Sequence, residues 1–413
     1  MNTAKQYFSI QTISGSGLGD QLGTQFSRLY ALGKVLGADY VYSPVSFQRS
    51  VKPPYHTFFF RFFFRIRYCL YFCIGRNLLS MGMNVLLMKI ENRISRIADK
   101  YSEKELTEFL GLKHISDVMG DVPDVYNYSD PDIGSFFKEN SNASLADFKA
   151  YLAEKLNSFP ADSIVQLKWT GDMWSLIPAI DKVIAEAGFS LETLRNEIFS
   201  KAFRQQAHSV ENKQMNIVFH IRCGDSTKIT VNGQQLIVYD KFLFSSEDEM
   251  EHIFKIDPDR ISKSPGEYLP VYESVKQLFS AEEAQIFVLS DGYELTYQHL
   301  LRNLLKRKCT ISLDATAKKE LKMKIRNLNT AFDAFGDATL IIGETKQNLK
   351  SSIQILAGAD IVIWGCGGFA GNTHQLFKNP EKKSLVIKVS EFNTSSISTI
   401  KEMKNAKSIG NHS

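Results

Sequence analysis

Cysteine is scarce in this chain and follows no pairing pattern. The 413 residues include five, Cys69, Cys73, Cys223, Cys309 and Cys366, an odd and scattered set with no C-x-x-C pair. That spacing indicates neither a zinc site nor a disulfide framework and fits a reduced, cytosolic compartment. Excess charge is also missing. A formal net charge of +4 is weak for this length, and without an RNA-binding or zinc-finger motif it gives no reason to expect a nucleic-acid partner. The first residues, Met1 to Gln11, lack the basic-then-apolar build of a signal peptide. No clean membrane span occurs either. The densest apolar stretch, Thr57 to Ile74, is interrupted by Arg61, Arg65 and Arg67, each costing roughly 2.5–3.5 kcal/mol near the centre of a spanning helix. Internal repeats and low-complexity tracts are absent.

What is present is ordinary globular material in quantity. Hydrophobic residues make up 44% and charged ones 23%, enough for substantial cores, and the length favours two domains. The segment 57–75 stands apart. As a helix it would carry Arg61 and Arg65 on one face among aromatics. That pattern suits a helix lying in the membrane interface against anionic lipid, or equally a buried or oligomer-contact helix with arginines at its rim.

Alternating apolar runs and helical stripes organise the rest. A strand (7–13), the turn Ser14–Gly19, a helix (20–36) striped by Leu22, Phe26, Leu29, Tyr30 and Leu32, and a strand (38–42) open the chain. Helical patterns follow near 90–112 and 145–157, with a strand at 163–167 and a helix at 191–206. The Asp-, Pro-, Ser- and Asn-rich stretch 122–142 reads as loop. Beyond residue 210 the spacing predicts strand 216–221, a long loop 224–264, helix 266–279, strand 285–289 and helix 294–306. Strand 338–342, helix 346–358, strand 360–364, helix 370–377 and strand 384–389 complete the series. Such alternation implies parallel sheets with helices on both faces. It suggests two doubly wound halves, 1–210 and 211–393, facing a cleft, with a Ser-, Lys- and Asn-rich tail (394–413) that frays.

Chemistry-bearing residues gather where those strands should end. His220 and Arg222 leave one face of the apolar strand Ile217–Ile221, with Asp225 just past it. A guanidinium fork, an imidazole and a carboxylate at a strand's carboxyl end suit a phosphate-bearing ligand; a plain Arg222–Asp225 ion pair is the alternative. Ser290-Asp291-Gly292 ends the next strand, where Asp291 either caps a helix or accepts hydrogen bonds from a ribose or base. Gly343-Glu344-Thr345 ends another strand. Trp364 to His374, with Gly365, Gly367, Gly368 and Gly371, leads into a helix whose N-terminus makes an anion-binding turn. Turns carrying Arg222, Asp291, Thr345 and Gly367–Thr373 would converge on one nucleotide pocket. In the N-terminal half, Gly15–Gly23 forms a second glycine loop before a helix. It is an imperfect dinucleotide fingerprint, with Asp20 where Gly or Ala belongs and no acidic residue closing the second strand; a nicotinamide-dependent oxidoreductase and a purely structural turn are its other readings. The D-x-D matches Asp130-Pro131-Asp132 and Asp257-Pro258-Asp259 sit in Pro-containing loops without a preceding strand and read as chance, so no metal is expected. Cys223 and Cys366, with no defined base partner, read as buried thiols rather than nucleophiles.

The order Gly17-Leu18-Gly19-Asp20-Gln21-Leu22, His220-x-Arg222-x-Gly224-Asp225, Ser290-Asp291 and a Phe-containing loop at a helix start resembles the α1,2-, α1,6- and protein O-fucosyltransferase superfamily, which includes the nodulation fucosyltransferases. The resemblance covers these four short motifs, spread over most of the chain. It implies the GT-B fold: two Rossmann-like domains, an N-terminal one on the acceptor side and a C-terminal one holding GDP-fucose. It implies transfer with inversion and no metal cofactor. By position, Arg222 would hold the pyrophosphate and stabilise the departing GDP. His220 and Asp225 would shape that site and Asp291 would contact the nucleoside. Gly367, Gly368, Phe369, Asn372, Thr373 and Thr345 would line the donor pocket. Gly17, Gly19, Asp20 and Gln21 would lie across the cleft, near the transferred sugar and the acceptor.

Three positions depart from the family pattern. Asp20 replaces the usual Asn, either as a near-isostere or as a general base for the acceptor hydroxyl. Cys223 replaces a second Arg. Gly367-Gly368-Phe369-Ala370 replaces a Ser-rich loop, leaving backbone N–H groups and Thr373 to substitute. The implied activity is an inverting glycosyltransferase moving fucose from GDP-fucose to a glycan hydroxyl in bacterial surface polysaccharide synthesis. The alternatives are another nucleotide-sugar donor, or a catalytically silent nucleotide- or sugar-binding scaffold. The expected setting is cytoplasmic, either free or peripheral on the inner face of the membrane through 57–75, with an acceptor that is free or lipid-linked.

Overall fold

The computed structural model describes residues 7–11, 27–35, 37, 39–40, 66, 86, 125–156, 164–168, 173–190, 214–223, 226–231, 234–239, 242–253, 261–293, 296, 316, 328–343, 346–378 and 383–410. They belong to two α/β units whose main change-over falls between Ala207 and His208. Apart from Ile66, which is helical, segment 57–75 lies outside the described residues. Among the described residues no helix is long and apolar enough to cross a membrane.

The first unit contains β1 (Tyr7–Gln11), α1 (Ser27–Val35), β2 (Asp39–Tyr40), β3 (Val125–Asp132), α2 (Ile133–Glu139), α3 (Leu145–Leu156), β4 (Ile164–Lys168) and α4 (Met173–Glu186). Its strands form a parallel sheet in the order β2-β1-β4-β3. Leu29, Leu32, Phe137, Phe148, Leu152, Ile180 and Val183 are buried together in its core. A two-pronged ion pair, Arg28 Nε and Nη2 to the Asp181 carboxylate at 2.7 and 2.8 Å, ties α1 to α4. Two expectations change here. Within the stretch 122–142, residues 125–139 are not loop but β3 followed by α2, because pairing with β4 outweighs the Asp/Pro composition. Ile133, Phe136 and Phe137 then give α2 a buried face. The pair Asp130 and Asp132 accordingly sits in a strand rather than a loop. Helix α4, absent from the sequence reading, buries Leu176, Ile180, Val183 and Ile184 at helical spacing around an exposed Pro178.

The second unit begins with β5 (Met215–Ile221), buried at every residue. A three-stranded antiparallel sheet follows, β6 (Ser226–Val231), β7 (Gln234–Tyr239) and β8 (Phe242–Phe244). It replaces the first part of the expected loop 224–264. The signal was present: Asn232-Gly233 separates two runs rich in β-branched and aromatic residues, the strongest short-range hairpin mark. Then come α5 (Pro265–Lys276), β9 (Ala284–Ser290), a 3-10 helix (Leu328–Phe335), β10 (Thr339–Ile342), α6 (Lys346–Gly358), β11 (Ile361–Trp364), α7 (Phe369–Phe377), β12 (Leu385–Lys388) and α8 (Thr394–Gly410).

Five strands of this unit form one parallel sheet in the order β10-β9-β5-β11-β12. Numbered along the chain that is 3-2-1-4-5, the order of a dinucleotide-binding sheet. Alternation of side chains covers both faces. Ile217, Phe219 and Ile221 pack with Tyr268 and Tyr272 of α5, the 3-10 helix and Ile400 of α8. Val218 packs with Leu356 of α6 and Ala370 of α7 on the other face. Of the tail expected to fray, residues 394–410 are therefore a structural layer. Asn393 caps α8 through Ser396 N–H to Oδ1 (3.1 Å), and Ile400 is fully buried. Lys407 Nζ reaches Gln214 O (2.8 Å) and Asp360 Oδ2 (3.1 Å).

Candidate functional site

Strand β5 is flanked by β9 on one side and β11 on the other. The chain leaves β5 towards one side of the sheet and enters β11 from the other, so their carboxyl ends mark the point where strand order reverses. At such a point connections diverge, and doubly wound sheets bind their ligands there. The last paired residues across that point are Trp364 and His220. Beyond them the two chains lead to Arg222 and to the glycine turn Gly365–Gly368.

The Arg222 side chain lies directly on that turn. A Cβ added at Gly367 would stand 2.5 Å from Arg222 Nη1 and 2.9 Å from Cδ, and the residue has φ +81°. The left-handed backbone favours glycine, and a side chain there would displace the Arg222 guanidinium. Arg222, Gly365, Gly367, Gly368 and Phe369 are all half-buried, so the edge they form is open to solvent. Helix α7 starts here with Gly368 as its N-cap and no side chain bonded to the cap. Its first N–H groups and positive dipole end thus face the same turn as the guanidinium.

His220 sits behind Arg222, its ring 5.6 Å from that of Phe369. Burial, and then the charge of Arg222, pull its pKa down to about 4. The imidazole is neutral at pH 7, a poor proton acceptor there, and its buried Nδ1 has no hydrogen-bond partner. Thr373, fully buried one turn along α7 from Phe369, also has an unpartnered Oγ1. Cys223 and Cys366 are buried free thiols. Burial, then the Asp291 carboxylate, pushes the Cys223 thiol far above its ordinary range, which leaves it a packed thiol and no nucleophile.

Tyr268 lies at the reversal point, between the ends of β5 and β11. Its buried hydroxyl donates to His220 O (3.1 Å), and the Gly365 backbone bonds to the phenolic oxygen. One hydroxyl thereby bridges the ends of β5 and β11 where direct pairing stops. Gly365 has no room for a side chain, since a Cβ there would run into the Tyr268 hydroxyl, with Cζ 3.2 Å away. In the sequence Tyr268 shows only as one of two aromatics, with Tyr272, at core spacing along a helix.

Of the residues singled out in the sequence, His220, Arg222, Gly367, Gly368 and Phe369 come together at this edge, and Asn372 and Thr373 follow in α7. Asp291 lies at the end of β9, where its Oδ1 accepts the Cys223 N–H (2.7 Å). Gly343, with φ +100°, ends β10 at the same edge and donates its N–H to Ser290 O (2.8 Å). Gly17, Gly19, Asp20, Gln21, Asp225, Thr345 and the pair Asp257 and Asp259 lie outside the described residues. Among the described residues no group of three or more His, Cys, Asp or Glu is placed to hold a metal ion.

No family model matches the chain, and no curated protein matches it. Among solved structures it is similar to POFUT1 in complex with GDP, at 12% identity and a TM-score of 0.37, over 94% of this chain and 99% of that one. It is also similar to POFUT1 in complex with GDP-fucose, at 11% identity and a TM-score of 0.38, over 94% and 98%. So loose a likeness adds nothing to the site, which stands on the residues of this chain.

Proposed function

We propose that the chain is a glycosyltransferase whose second unit binds a nucleoside diphosphate sugar at the carboxyl edge of its parallel sheet. The observation that carries this reading is the placement of the Arg222 guanidinium against Gly367, at the strand-order reversal and beside the start of α7. A diphosphate bound there would meet a fixed bidentate donor, backbone N–H groups of a glycine turn and a helix N-terminus. These groups suit a leaving group that gains negative charge as the sugar departs.

The donor is GDP-fucose, a choice supported by the motif pairing of Gly17–Leu22 with His220–Asp225. In the reaction the acceptor oxygen bonds to the anomeric carbon as the bond from that carbon to the diphosphate breaks, with inversion. The electron pair of the broken bond goes to the diphosphate, held by Arg222. The acceptor proton goes to a carboxylate, for which Asp20 is the candidate. The acceptor is a hydroxyl of a glycan in bacterial surface polysaccharide synthesis, and segment 57–75 would bring the enzyme to the membrane surface. Neutral His220 orients rather than exchanges protons.

A thermal-unfolding panel with GDP, UDP, CMP, ADP and NAD, without metal and then with magnesium, tests the reading. At about 100 times its dissociation constant GDP stabilises the protein by about 2.7 kcal/mol, and Arg222→Ala, binding GDP more weakly, loses most of that stabilisation at the same GDP concentration. Selective protection by UDP or CMP would replace the donor and keep the transferase. Protection by NAD alone would point to an oxidoreductase, and silence across the panel would overturn nucleotide binding.

A further inference from the structure

The sheet fixes β5 only as far as Ile221, whose partner in β9 is Ser290. Arg222 and Cys223 lie past the last ladder bond, yet the backbone of Cys223, the residue after Arg222, is held at both its N–H and its carbonyl. Its N–H donates to Asp291 Oδ1 (2.7 Å). Its carbonyl accepts from two hydroxyls, Thr296 Oγ1 (2.9 Å) and Thr227 Oγ1. The two hydroxyls stand 3.3 Å apart, and Thr227 and Thr296 are 4% and 0% exposed.

The three holding residues come from two separate pieces of chain: Thr227 from the first strand of the antiparallel insertion, and Asp291 and Thr296 from the segment after β9. One donor would satisfy a buried carbonyl; two buried hydroxyls use both of its lone pairs and cancel its freedom to tilt. Thr227 also bridges to Ser262, just ahead of α5, so the insertion is tied to the helix that carries Tyr268. The result is a backbone anchor one residue from a long side chain whose usefulness depends on where its fork points. Bidentate recognition tolerates displacements of only about 0.5 Å.

We infer that Thr227, Thr296 and Asp291 are positioning residues that act through the Cys223 peptide to aim Arg222 at the ligand's diphosphate. The inference rests on the nucleotide reading of the site. It gives Asp291 a task in the free protein, and it gives the antiparallel insertion a reason to follow β5 directly.

The test compares Thr227→Val/Thr296→Val, which keeps shape and removes both hydroxyls, with Thr227→Ser/Thr296→Ser, which keeps them. GDP dissociation constants are measured by calorimetry at a temperature where each variant is folded, in wild-type and Arg222→Ala backgrounds. The Val pair weakens GDP about tenfold, by loss of preorganisation, while the Ser pair stays within about twofold. In the Arg222→Ala background the Val pair adds no further loss, because the hydroxyls act only through Arg222. If the Val pair fails to fold, Thr296→Val alone serves, with a smaller loss of the same pattern. Unchanged GDP affinity in the Val variants, or an equal loss with and without Arg222, overturns the inference and leaves the nucleotide reading intact. A wild-type protein that binds no nucleotide overturns both.

Discussion

At the scale of the residue, His220 shows what the site demands of its surroundings. It is 7% exposed, stands behind a permanent cation, and has a pKa of about 4 against an ordinary 6.5. Below pH 6.5 the unfolded chain takes up a proton at this position and the folded chain does not. Stability from this group is therefore full above pH 6.5 and is lost as pH falls towards 4, by about 3 kcal/mol in all. Urea midpoints of wild type and His220→Gln between pH 4 and 7.5 check this. The wild type has the steeper fall below pH 6.5, and parallel curves would refute the account. His220 and Arg222 were legible in the sequence because they project from one face of an unmistakably apolar strand. Tyr268 was not. A buried aromatic on a helix looks the same in sequence whether its hydroxyl bridges two strands or merely finds a partner.

At the scale of the element, strands buried on both faces read clearly and half-polar elements did not. Strands β5, β9 and β11 are short apolar runs ended by glycine or by polar residues, and they were found within a residue or two. Strands β6 and β7 fall in a stretch that reads as loop, although Asn232-Gly233 marks the hairpin. The clearest misreading is α8. Its Ser, Lys and Asn content suggests a tail, but Ile397, Ile400 and Met403 recur every three residues after an Asn393 cap. The ion pair between Lys404 Nζ and Glu283 Oε2 (2.8 Å) is exposed and contributes little; the helix is held by burial. Ile400→Ala should cost about 2–5 kcal/mol, read from the urea midpoint of the full chain. A neutral result would mean that this helix does not belong to the folded core.

At the scale of the whole molecule, the alternation of strands and helices was enough to give two parallel-sheet units, because a parallel sheet needs a crossover for every strand. Strand order was not legible, since nothing local in a sequence says which strand lies beside which. The structure adds that order, and with it the point in the second unit where β5 and β11 part. That point explains why Arg222 and the Gly367 turn, some 145 residues apart in sequence, share one edge. We propose that a nucleotide binds there. Hydrogen exchange of the full chain with and without GDP tests it most directly. At about 100 times the dissociation constant, amides that exchange only through the ligand-free state should slow by about 100-fold. This slowing should fall on residues 215–223 and 364–373. Slowing confined to residues 125–190, or no slowing anywhere, would contradict the proposal.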